Sequence, residues 1–141
     1  MNWALALHVF GTILWVGALI GLSLILRSEA ATKDSNLLDV GRKVARVMDV
    51  GGLLAIVCGI YILVRTKGLG EAWVLKQPWM HIKLTLVTIV VFGGHGFVEA
   101  RLKKLRNGVG RRLPGLFAPV VILAAFAIVV LVVVRPLTKG G

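Results

Sequence analysis

Three histidines, His8, His81 and His95, together with Lys83, Glu99 and Asp49, fall inside or at the borders of long apolar runs. Ionisable groups in such runs are costly unless they pair with one another or serve a function. Neutral imidazole ligates haem iron and several transition metals, and imidazole beside carboxylate carries protons. The densest stretch is Trp79 to Glu99, WMHIKLTLVTIVVFGGHGFVE, which holds four of these groups. A helix advances ~1.5 Å and ~100° per residue, so His81 and His95 are expected ~21 Å apart and within ~40° of one face. Thr85, Thr88, Phe92 and Glu99 fall on the same stripe. Lys83 points to another face, where it either snorkels to headgroups or pairs with a propionate or a substrate carboxylate.

In the first apolar run, His8, Thr12 and Trp15 share a helical face. Counted from Trp3, His8 lies ~7 Å deep, and His81 lies ~3 Å beyond Trp79 at the same end. The two imidazoles are therefore expected at similar depth on different helices. Such a pair suits the two axial positions of a b-type haem seated between helices. A pair of interface histidines bonded to backbone or water is the alternative. A copper site is a competing reading, with Met1, Met48 and Met80 as soft donors, of which only Met80 adjoins a histidine. At the other end, Asp49, His95 and Glu99 read either as a proton relay or as a satisfied polar cluster. The lone cysteine, Cys58, sits in an apolar run and reads as a small buried hydrophobe. The sequence contains no C-x-x-C or H-E-x-x-H pair, no phosphate-cradling glycine loop and no nucleophile elbow.

The elements that must position these groups are all apolar helices. With 141 residues, 57% of them hydrophobic, and a mean hydropathy of +0.89, the chain reads as an integral membrane protein. One all-α domain over residues 1–141 is expected, an up-down four-helix bundle with spans near 3–26, 47–64, 79–100 and 113–134. The first run lacks the charged flank and cleavage site of a secretory signal and reads as a permanent span. Ser35 and Asn36 are expected to cap a short amphipathic helix ahead of the second span. Pro78 fits the first turn of the third helix, and Asn107, Gly108 and Gly110 mark the turn after it. Gly17 and Gly21 form a G-x-x-x-G packing face, Gly51, Gly52 and Gly59 permit close approach of helices, and these faces make a homodimer reasonable.

The net charge of +11 comes from basic residues between the apolar runs, which suits anionic lipid rather than nucleic acid. The first connection carries Arg27, Lys33, Arg42, Lys43 and Arg46, and the third carries Arg101, Lys103, Lys104, Arg106, Arg111 and Arg112. The other side has Arg65, Lys67, Lys76, Arg135 and Lys139. The positive-inside rule then places both termini on the non-cytoplasmic side.

Leu7-His8 followed by Trp15, Gly17 and Leu19, then Trp79-Met80-His81-Ile82-Lys83-Leu84 with His95-Gly96, resembles the HemJ-type protoporphyrinogen oxidases and their CopD-like relatives. Val132 to Pro136, VVVRP, is similar to that family's C-terminal close. The resemblance implies a bacterial inner-membrane protein with haem b that oxidises protoporphyrinogen IX to protoporphyrin IX, with electrons passing toward quinone or a respiratory chain. It implies His8, Trp15, His81 and Lys83 as the cofactor-binding residues, with His8 and His81 at the metal. For CopD-like relatives it implies copper handling instead, and a non-catalytic structural or partner-binding role is the third reading. The chain departs from the family's pattern at Ser23-Leu24, where the family has Pro-Arg, at Glu29, where it has histidine, and at Leu116-Phe117-Ala118, where it has Asn-Glu before the proline.

Overall fold

A long run with no charged side chain satisfies its backbone groups internally only as a helix, and the first run does so. In the computed structural model, which describes residues 2–65 and 78–134, α1 covers Asn2–Arg27 and closes on a basic residue that complements the helix dipole. A 3₁₀ turn, Glu29–Thr32, reverses the chain. Asp34 then caps α2, its carboxylate accepting the Asn36 N–H at 2.8 Å.

Helix α2 runs unbroken over Ser35–Arg65, 31 residues. The expected short amphipathic helix and the second span are thus one helix, and its cap is Asp34 rather than Ser35 or Asn36. The physical reason lies in residues 35–46, which hold no proline and only one glycine. That glycine, Gly41, is buried where an added Cβ would lie 3.3 Å from Leu22 and Leu102 side chains. Leu38, Gly41, Ala45 and Met48 form one buried stripe at helical spacing, so packing continues the helix through the charged stretch.

Helix α3 covers Pro78–Arg106, with Pro78 at its first position as expected. Its middle, Val87–Phe92, is a π-helical turn. It ends in a Schellman motif: the Gly108 N–H bonds the Leu105 carbonyl at 3.0 Å and the Val109 N–H bonds that of Lys104 at 3.1 Å. Gly108 takes φ +72°, a conformation that favours glycine. Helix α4 covers Phe117–Val134 and begins four residues later than residue 113. Pro114 biases Leu113 away from helix, and the Leu113 N–H instead donates to the Leu26 carbonyl at 3.0 Å, one of the orphan acceptors at the end of α1.

The α1–α2 interface is by far the most extensive. Its register is antiparallel: His8 meets Ala55, Trp15 meets Gly51 and Gly52, and Leu22 meets Gly41. The second half of α3 lies against both of these helices, while its first half packs on α4. Among the described residues every helix and turn element is helical, and α1, α2 and α3 are long and apolar enough to cross a membrane. Fully buried Leu19, Leu22, Leu26, Met48 and Val98 place the core toward the end where α1 and α3 finish, here termed the basic end. At the opposite, aromatic end Trp3 stacks on Tyr61 with ring centroids 5.2 Å apart, and the Arg65 guanidinium sits 5.6 Å from the Tyr61 ring. Lys67, Lys76, Arg135, Pro136, Lys139 and Met1 lie outside the described residues.

Candidate functional site

Glycines decide where α1 and α2 touch. A Cβ on Gly11 would lie 2.7 Å from the Ala55 nitrogen, and one on Gly51 would lie 2.7 Å from the Trp15 nitrogen. The backbones are therefore in direct contact, as small residues allow. Gly17 and Gly21, by contrast, meet nothing within 4 Å, and Gly17 lines an open apolar groove with Ile13, Leu14, Ala18, Val44 and Val47. The glycines at which α1 and α2 pack are Gly11, Gly41, Gly51, Gly52 and Gly59, not the G-x-x-x-G pair.

That close approach seats two ring systems. The Trp15 indole lies over Gly52, whose added Cβ would sit 3.2 Å from Cε2, and Phe92 of α3 closes on it edge-first with centroids 5.0 Å apart. The indole N–H donates to Nδ1 of His95 at 2.9 Å. Nε2 of His95 faces Asp49 at 3.0 Å and Glu99 at 3.9 Å, the second beyond hydrogen-bonding range. An indole N–H only donates, so Nδ1 is the bare nitrogen and Nε2 carries the proton toward Asp49. The imidazole is mostly buried and the two carboxylates are half exposed. One ligand atom each from Asp49, His95 and Glu99 falls within 4.8 Å of the others, close enough to hold a metal ion.

His8 is fixed differently. Its Nδ1 bonds the Ala55 carbonyl at 2.6 Å, and the ring rests where Gly59 has no Cβ, which would otherwise lie 3.0 Å from Cε1. A carbonyl only accepts, so Nδ1 carries the proton and Nε2 presents its lone pair. The Thr12 hydroxyl is used within α1, donating to the His8 carbonyl at 2.8 Å.

The π turn separates the histidines of α3. Its i→i+5 bonding fits one extra residue into the turn and rotates everything beyond by ~100° relative to an unbroken α-helix. His81 and His95 therefore sit roughly 140° apart rather than ~40°. His95 turns into the core, and His81 is exposed together with Thr85 and Thr88. Lys83 is half-buried and engaged. No hydrogen bond or ring contact joins His8 to His81. Pro78–Leu86 buries none of its residues.

The structure thus brings Trp15, Asp49, His95 and Glu99 together and pairs His8 with α2. Ala55 and Gly59, which seat His8, and the Trp15–His95 bond were not read from sequence. A signal for the bond was present: Trp15 is 12 residues before Arg27 and His95 is 11 before Arg106, so both lie at one depth from the basic end. Cys58 is buried, as its surroundings predicted.

Among the described residues, fold and site define an all-helical arrangement with three helices long and apolar enough to cross a membrane and a histidine–carboxylate cluster between them. Compared with known proteins, the chain matches no family model, no curated protein and no solved structure.

Proposed function

We propose that the chain is a multi-pass protein of a bacterial inner membrane that binds haem b at its aromatic end through His8 and works in electron transfer, with porphyrinogen oxidation as the reaction its HemJ-like motifs suggest. The observation that carries this reading is the hydrogen bond from His8 Nδ1–H to the Ala55 carbonyl at 2.6 Å. Anchoring one imidazole nitrogen on a carbonyl fixes the tautomer, orients the ring and leaves the other nitrogen basic, the arrangement that protein histidines at metals adopt. The donor set would suit a haem iron in that respect. His81 and Lys83 are the residues of α3 that would hold the other side, as second ligand or as partner of a propionate. Bound haem would supply one-electron chemistry; the protein supplies ligation, orientation and an apolar surround.

In the same reading α1 to α4 all cross the bilayer, the basic end faces the cytoplasm and both termini face away from it. The test is an absorption spectrum of protein purified in detergent after haem supply during expression. A Soret band lost in His8→Ala is expected. Absence of the band in the wild type overturns the proposal, and copper retained through His81 and Met80 in its place would move the function to metal handling.

A further inference from the structure

Trp15, Asp49, His95 and Glu99 form a device of their own near the middle of the helices. His95 has two nitrogens and both are committed: Nδ1 accepts the Trp15 indole proton at 2.9 Å, and Nε2 faces Asp49 at 3.0 Å. Adding a proton to this ring means adding it at Nδ1, because Nε2 already carries one. An N–H at Nδ1 would confront the indole N–H, two donors with no acceptor between them. Ligation of a metal at Nε2 meets the same obstacle, since a neutral imidazole bound through Nε2 carries its proton on Nδ1.

We propose that protonation of His95 and the Trp15–His95 hydrogen bond exclude one another, so that this cluster is a proton-operated clasp between α1 and α3 and not a metal site. The groups facing the imidazole are Asp49 from α2, Glu99 from α3 itself and the untitratable Trp15 from α1. Helix α4, Phe117–Val134, contributes no titratable side chain. Uptake of one proton forms one N–H bond, takes the cluster from two net negative charges to one with both carboxylates ionised, and costs the indole bond. The indole has no basic nitrogen and ends any proton path at His95. His95 therefore stores a proton rather than passing it on toward His8, and what the proton moves is Trp15, packed on Gly52 and Phe92. The inference stands whether or not His8 carries haem.

The test uses the full-length wild-type protein in nanodiscs, labelled with ¹⁵N at histidine and tryptophan. Nitrogen and indole proton resonances are followed as the pH is lowered until His95 becomes imidazolium. At the alkaline end His95 is expected as the Nε2–H tautomer, with the Trp15 indole proton shifted downfield by its hydrogen bond. On acidification the indole resonance is expected to move upfield in the same step in which His95 becomes imidazolium. An Nδ1–H tautomer at the alkaline end, or an indole resonance that stays put while His95 charges, overturns the proposal. So does Zn²⁺ binding at Nε2 that leaves the indole resonance unchanged.

Discussion

At the basic end His95 is enclosed, with one nitrogen held by Trp15 and the other facing Asp49, whereas at the aromatic end His8 has one nitrogen anchored on Ala55 and His81 stands exposed. The surrounding packing differs in the same direction. Leu19, Leu22, Leu26, Met48 and Val98 close the basic end, while Pro78–Leu86 buries nothing at the other. Residue type is thus the same at both ends, and the number of helices that converge decides what the imidazole can do. Three helices around His95 complete its hydrogen bonds internally; two helices around His8 leave a basic nitrogen for something else.

The comparison breaks most readily at the glycine contact on which both ends depend. Gly51→Leu would drive its side chain into the Trp15 backbone, 2.7 Å from the position of the new Cβ, and helices cannot yield there as a flexible side chain could. Overpacking of this kind costs about 1–3 kcal/mol or more, and separation of α1 from α2 is expected, read as loss of cooperative thermal unfolding by circular dichroism in detergent. Gly17→Leu serves as the control, because nothing lies within 4 Å of that position; unchanged unfolding, within about 0.5 kcal/mol, is expected.

Trp15→Ala should destabilise the basic end by about 3–5 kcal/mol, since it empties a buried ring site. Trp15→Phe keeps most of the volume and loses the donor to Nδ1, for an expected cost of about 1–3 kcal/mol. His8→Ala should cost about 1 kcal/mol through the lost bond to Ala55 and, under the proposed function, remove the Soret band as well. His81→Ala, at an exposed position, should change stability by less than about 0.5 kcal/mol. If His81→Ala matched Trp15→Ala in its effect on unfolding, the contrast between the two ends would be lost.

Much of this architecture was legible before any coordinates. Composition and the apolar runs gave the all-helical class, and Pro78, Gly108 and the basic residue Arg27 marked helix ends where they occur, whereas α3 continues past residue 100 to Arg106. The gathering of Asp49, His95 and Glu99 followed from shared depth. The continuity of α2 through residues 35–46 did not, because its buried stripe exists only once Leu22 and Leu102 are in place against Gly41. Nor did the late start of α4, which depends on the Leu26 carbonyl being at hand for Leu113.

By itself the sequence determined that the described elements are helices and where most of them end, because apolar backbone must bond within its own segment and charged residues mark the limits of that segment. Which faces meet was left to the tertiary structure. One extra residue in the turn at Val87–Phe92 rotates the rest of α3 by ~100° without altering the pattern of residue types, and so sends His95 inward and leaves His81 outside. The tautomers of His8 and His95 were likewise settled by which donor or acceptor each nitrogen reaches, and that depends on how closely Gly51, Gly52 and Gly59 let the helices approach.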